Sequence, residues 1–322
     1  MRGFLVLDKP AGPTSHDLVG ILRSLIGVKR VGHTGTLDPF ATGVLPLAIG
    51  PATRLISFLD EASKGYEADL TLGQATETGD LEGTVVETGP IVEVTGFDAV
   101  ASDFVGELTQ RAPPYSAVKV DGKPLYKYAR EGDLRWGPER SIQVSAIERL
   151  PSETPGCLRF SVQCSRGTYV RVLGMDIAKA MRTVGHLSAL RRTHSGAFHI
   201  KQALGIEDLA EAATGSRDWR KAFARDRNER LPRVPREEIR AFIQQHLVGI
   251  QEAFSGWEVQ ECSEGEARRV RDGISPPSKL PVGTRLLLMR QGEVLALGER
   301  QPHKGGVRTR LLRVLPPLTP EP

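Results

Sequence analysis

The sequence predicts an α+β protein with one large domain followed by a smaller one. Three observations carry this. Stretches that alternate strictly between apolar and polar residues, at 64–73 and 158–165, read as half-buried strands. Apolar residues at helical spacing, at 18–26 and 170–181, mark two helices. Beyond about residue 240 the chain changes to short strands and turns. At 322 residues there is length enough to bury a sizeable core and still hold a second unit.

In chain order, Phe4-Leu5-Val6-Leu7 reads as the first strand and Lys9-Pro10-Ala11-Gly12-Pro13 as a turn. Thr14, with Asp17 three residues on, has the spacing of a helix-start capping pair. Leu18, Ile21, Leu22, Leu25 and Ile26 then form an apolar face that ends at Gly27. A glycine-rich loop, 32–43, follows and carries a single carboxylate, Asp38. The proline after it biases Asp38 away from helical backbone, and Leu37 and Phe40 flank it with apolar groups. Val44 to Ile49 is an apolar run closed by Gly50, the pattern of a buried strand. A carboxylate on a loop feeding a core strand is a place for chemistry. Taken alone, the loop fits an Asx turn better, with Asp38 bonded to nearby amides.

The 64–73 stretch places Tyr66, Ala68, Leu70 and Leu72 on one face, and a tyrosine there is ordinarily core with its hydroxyl satisfied. The segment 74–83 reads as a structural loop. From 110 to 137 basic and aromatic residues interleave, Lys119, Lys123, Tyr126, Tyr128, Arg130, Arg135 and Trp136 among them. That mixture suits phosphate pairing with base stacking, and equally an ordinary charged surface. Leu158, Phe160, Val162 and Cys164 alternate with polar residues. Gly167-Thr168 then opens a helix with Val170, Leu173, Ile177 and Met181 on one face. Arg171 falls in its first turn, where the helix dipole disfavours a cation by about 0.3 kcal/mol or more, so its partner is the question. Residues 215–240, rich in arginine with Pro232 and Pro235, read as a bridge. The expected division is a first domain over 1–235, a linker over 236–250 and a second domain over 251–322.

Net charge is only +4, but arginine outnumbers lysine by 32 to 11, and guanidinium forks suit phosphates and stack on bases. The three cysteines, Cys157, Cys164 and Cys262, show no CxxC spacing. They point to a reducing compartment and away from a disulfide framework or thiolate zinc site. Seven histidines lack any HExxH pattern, so no metal and no cofactor are expected. The N-terminal apolar run is broken by Asp8-Lys9-Pro10, which fits neither a signal peptide nor a membrane span. A cytoplasmic protein is expected.

Several strings together resemble the TruB family of pseudouridine synthases. His33-Thr34-Gly35-Thr36-Leu37-Asp38-Pro39, with Ala41-Thr42-Gly43-Val44-Leu45, is similar to its signature, and Lys9 to Asp17 to its first motif. Lys64 and Tyr66 match its Lys-x-Tyr motif, Leu72 to Gly83 its LGxxTxTxDxxG loop, and Ser165 to Asp176 its third motif. Tyr115 to Lys119 and Leu187 to Gly196 are also family-like, so the likeness runs from Lys9 to about Phe198. The Pro113-Pro114 pair sits one place later than the family pattern.

The resemblance implies a pseudouridine synthase fold, with a central, mainly antiparallel mixed sheet flanked by helices and an RNA-binding insertion at about 110–137. A small PUA-like barrel would follow it, opening on the helix near 263–273. It also implies that Asp38 is the catalytic aspartate, with Arg171 against it in a two-pronged contact that keeps it charged and aimed. Tyr66 would stack on the target uracil and accept a proton late in the reaction, and Leu190 would line the uracil pocket. Lys9, His33, Tyr169, Lys119 and Arg130 complete the expected substrate-binding set, His33 filling the space of a nucleotide drawn from the stack. Arg191 and Arg192 are expected to meet phosphate or to cap a surface.

The implied substrate is the T-arm of tRNA, modified at position 55 by a stand-alone monomer with no guide RNA, protein partner or membrane. Two further readings stand beside it: the related guide-RNA-dependent rRNA enzyme, and a non-catalytic RNA-folding protein. Tyr115 to Lys119, followed by Gly122 and Tyr126, favours the tRNA enzyme over the first of these. Intact Asp38, Tyr66 and Arg171 weigh against the second.

Overall fold

Strand β1 (Gly3–Lys9) is apolar at four successive positions because both its faces are covered. This holds in the computed structural model, which describes residues 1–59, 63–152, 154–226, 228–229, 231–304 and 306–317. Leu5 and Leu7 enter the main core beneath α1 (Ser15–Ile26), while Phe4 and Val6 enter a second core on the other side. Helix α1 starts and stops where its sequence signals stand. The Thr14 hydroxyl accepts from the Asp17 amide, Asp17 reaches back to the Thr14 amide, and Gly27 closes the helix at φ 66°.

The glycine-rich loop runs between β2 (Val31–His33) and β3 (Thr42–Ile49), and β3 pairs antiparallel with both β1 and β2. The sheet continues through β4 (Lys64–Leu72), β5 (Gly106–Arg111), β6 (Glu139–Leu150) and β7 (Cys157–Cys164). After α2 (Val170–Ala180) come β8 (Gly185–Ser195) and β9 (Leu204–Gly205). Among the described residues the order is β9-β1-β3-β8-β4-β7-β6-β5. Only β9 with β1 and β8 with β3 run parallel, so the sheet is mixed and mainly antiparallel, as expected. Helix α2 begins at Val170 rather than at Gly167. Gly167 holds φ +86° and Tyr169 is extended, which a helix does not admit.

The parallel join of β3 to β8 is two residues long, Arg191 opposite Thr42 and Arg192 opposite Gly43. Gly43 has φ +96°, and a Cβ there would stand 2.2 Å from the Arg192 carbonyl oxygen. Gly43→Ala is therefore expected to cost about 2 kcal/mol or more of stability, read as a fall in the urea midpoint. An unchanged midpoint would mean that the join tolerates a side chain.

The expected linker over 236–250 is not a linker. Helix α3 (Ile206–Thr214) is followed by α4 (Arg236–Gln245), whose Ile239 and Ile243 lie in the main core, and by β10 (Leu247–Val248), which pairs with β1. Two apolar residues at i, i+4 suffice to dock an otherwise polar helix, too thin a signal against its charged surroundings. Nor is the arginine-rich segment before it a free bridge: Arg225 pairs with Asp17 at 2.8 Å and Arg233 donates to the Ser24 hydroxyl of α1.

The C-terminal unit is a sheet of β11 (Glu258–Glu261), β12 (Arg285–Arg290), β13 (Glu293–His303) and β14 (Gly306–Val314) in that order. Its helix α5 (Glu264–Arg271) starts at a Ser263–Glu266 capping box. β11 joins β12 in parallel and the other pairs are antiparallel. One face packs under Ala267 and Val270 of α5. The other presents Leu287, Met289, Val294 and Leu297 to the second core, against Phe4, Val6, Val44 and Ala48. Among the described residues no helix is long and apolar enough to cross a membrane.

Candidate active site

Four elements converge on Asp38. The loop between β2 and β3 carries it, β4 brings Tyr66, α2 brings Arg171 and β8 brings Leu190. All four side chains, with Tyr169, line one cavity of about 370 Å³, within the ~300–1,000 Å³ usual for small-ligand sites. A larger cavity, about 650 Å³, lies around Phe254 and Trp257 beside the C-terminal sheet. The smaller one is distinguished by its chemistry.

Arg171 Nε donates to Asp38 Oδ2 at 2.9 Å. The arginine is 3% exposed and the carboxylate 36%, so a fixed cation holds an acid that still faces the cavity. The contact has one prong, not the expected two. The remaining nitrogens are engaged elsewhere: Nη1 donates to the Thr78 carbonyl and stands 3.6 Å from Asp80, and Nη2 donates to the Tyr115 carbonyl at 2.8 Å. One guanidinium thus ties the catalytic loop, the 74–83 loop and the start of the 110–137 insertion to α2. Asp80, read in the sequence only as part of a structural loop, is buried. It accepts from the Thr78 hydroxyl and the Glu82 amide, which orients it towards Arg171.

The first motif proves to be the cradle of the catalytic loop. Gly12 N–H donates to the Pro39 carbonyl, and the Ser15 hydroxyl meets both the amide and the carbonyl of Leu37. Lys9, expected to bind substrate, has no exposed surface. Its ammonium donates to the carbonyls of Pro10, Pro39 and Ala41 at 3.0, 2.9 and 2.7 Å. Burial pulls its pKa down from 10.5 to about 8. Between those values the unfolded chain binds more protons than the folded one, so this group adds stability as pH rises from about 8 and penalises the folded state below it. Lys9→Met is expected to be less stable at every pH and to lack that alkaline gain. Urea midpoints at pH 7, 8.5 and 10 that stay parallel for the two proteins would contradict this.

Arg192 also departs from expectation. It meets no surface: it is the largest fully buried side chain, donating to the carbonyls of Val44 at 2.7 Å, Gly35 at 3.2 Å and Thr36 at 3.4 Å. Its neighbour Arg191 pairs with Asp8 through both nitrogens of its fork. Tyr66 is 7% exposed, and burial raises its pKa while the Arg192 guanidinium pulls the other way. Tyr169 caps α2 and is held at both backbone ends by the Gln110 side chain.

His33 ends β2, half-buried, and is not among the residues lining the cavity. Lys119 and Arg130 are exposed and also stand off the cavity, whereas Ser116, Ala117 and Val118 line it. In the insertion the cations already sit on its aromatic rings, Arg135 4.1 Å and Lys123 4.5 Å from the Tyr128 centroid and Arg130 5.5 Å from that of Tyr126.

Residues 23–170 match the model of the TruB family pseudouridylate synthase N-terminal domain. A tRNA pseudouridine synthase B from Geobacter sulfurreducens is 37% identical over 98% of this chain and 99% of its own. The chain belongs to the TruB family. A Burkholderia lata tRNA pseudouridine synthase B is 41% identical over 84% of both TruB chains, and one from Halalkalibacterium halodurans 47% identical over 66% of this chain and 72% of that one. In shape this TruB protein resembles a chain of a solved Cbf5-Nop10-Gar1 complex, with TM-score 0.69 and 26% identity over 97% of this chain and 84% of that one. It also resembles a chain of an H/ACA RNP bound to substrate RNA, with TM-score 0.68 and 24% identity over 98% and 85%.

Proposed function

We propose that this chain isomerises uridine to pseudouridine at position 55 in the T-loop of tRNA. The observation that carries the reading is the Asp38–Arg171 pair, a half-open carboxylate on a buried guanidinium, at the wall of a cavity shared with Tyr66 and Leu190. The reaction breaks the N1–C1′ bond, turns the uracil and joins C5 to C1′, so the product is an isomer and no electrons are transferred overall. Asp38 acts as the ionised group at the sugar or base, Arg171 keeps it charged and aimed, and Leu190 packs against the base. Tyr66 stacks on the base and receives the C5 proton. The nucleotide must leave its stack to reach a cavity of this depth. Tyr115 to Lys119 and Arg130 then serve the RNA outside the pocket, through phosphates and shape.

The tRNA reading is supported by relatives named as tRNA enzymes over almost the full chain, and a monomer acting without guide RNA is part of it. The test incubates purified protein with an unmodified T-arm hairpin, with no other RNA or protein, and maps pseudouridine. Conversion at the T-loop uridine is expected. Conversion only after a guide RNA is added would favour the rRNA enzyme, and binding without conversion would favour a folding protein.

A further inference from the structure

Arg192 is a buried cation with no carboxylate to compensate it among the described residues. Uncompensated buried charge is expensive, and a neutral donor could clamp carbonyls at lower cost. Its surroundings suggest what the charge is for. In the pairing of β4 with β8, Arg192 stands directly opposite Tyr66, so the two side chains share a face. Its guanidinium lies against the Tyr66 hydroxyl while its nitrogens hold the carbonyls of Gly35 and Thr36, two and three residues before Asp38. The close approach at Gly43 sets the depth at which this strand carries it.

We propose that Arg192 is a positioning residue for proton removal, its fixed charge holding Tyr66 in the deprotonated form that accepts the C5 proton. This rests on the function proposed above. Once C5 has bonded to C1′, the phenolate oxygen of Tyr66 takes the proton from C5. The C5–H pair becomes the C5=C6 bond, the C6=N1 pair moves onto N1, and N1 takes a proton from water. The charge on Tyr66 is then discharged, and the hydroxyl returns its proton to solvent between turnovers. A prearranged cation at the point where negative charge must reside needs no reorganisation during the step. The other groups facing Tyr66 are Cys164 from β7 and Asp38 from the loop, both disfavouring a phenolate, and Lys64 lines the same cavity from β4 itself. Arg192 is the buried cation placed to oppose them.

The test is the single-turnover rate on a T-arm hairpin from pH 6 to 10 for wild type, R192Q, R192K, Y66F and R192Q/Y66F. In R192Q the acidic limb of the profile should move up, making its loss at pH 7 about tenfold greater than at the alkaline end for each unit of displacement. R192K, with a charge on a thinner side chain, should show a smaller displacement in the same direction. If R192Q does not fold, R192K decides alone. In the Y66F background neither displacement should remain. A loss of equal size at every pH, or one that persists unchanged without the Tyr66 hydroxyl, would leave Arg192 a scaffold residue and overturn the assignment. Wild type that leaves the hairpin unmodified would sink the proposed function instead.

Discussion

Asp38→Asn is expected to bind a T-arm hairpin within a few-fold of wild type and to convert none of it. Asparagine matches the shape of the carboxylate, and its amide oxygen still accepts from Arg171 Nε, now at 2.9 Å. What it lacks is the negative charge. Removing a group that acts at the reacting atoms costs on the order of 10⁴-fold or more in rate, and an amide next to a fixed guanidinium has no means of attack. The loss should sit in the chemical step, seen in single turnover, while filter binding moves little and the melting curve stays close to wild type. Full turnover by this variant would remove Asp38 from the mechanism.

Arg171→Lys should lower both rate and stability. The guanidinium sends one nitrogen to each of three elements, reaching Asp38, the Thr78 carbonyl and the Tyr115 carbonyl. An ammonium on a four-carbon stem serves one of these positions and leaves the others unmatched in a site with 3% exposure. Unmet buried acceptors cost about 1–3 kcal/mol each, so the urea midpoint should fall measurably. The rate should fall by about 10²-fold or more, because the insertion and the catalytic loop lose their common tie. A near-normal rate would mean that Asp38 needs only a nearby positive charge.

Much of this was legible in the residues, for physical reasons. The ends of α1 were marked by Thr14, Asp17 and Gly27, since caps are local chemistry. Tyr66, Ala68, Leu70 and Leu72 announced a half-buried strand by their period. Arg171 announced itself by its place against the helix dipole, and the partner it needed is the acid found there. Burial of charge was what the sequence hid. Lys9 and Arg192 read as surface cations because lysine and arginine usually are, and only the folded chain shows carbonyls gathered around them. The same blindness hid Asp80, whose role depends on a hydroxyl and an amide folding its carboxylate inward. Helix α4 and β10 escaped because docking a helix on two isoleucines leaves almost no pattern to detect.

Placing Phe4 and Val6 against the C-terminal sheet, and Leu5 and Leu7 against α1, makes one seven-residue strand the shared wall of two cores. Its last residue, Lys9, is the one that grips the loop bearing Asp38. Trimming the protein back to a minimal catalyst is thus not a matter of dropping an appendage. Whatever is cut away after residue 257 bares the reverse side of the strand that steadies the reaction centre, and the shortened chain trades a dry contact for a greasy, self-associating flank.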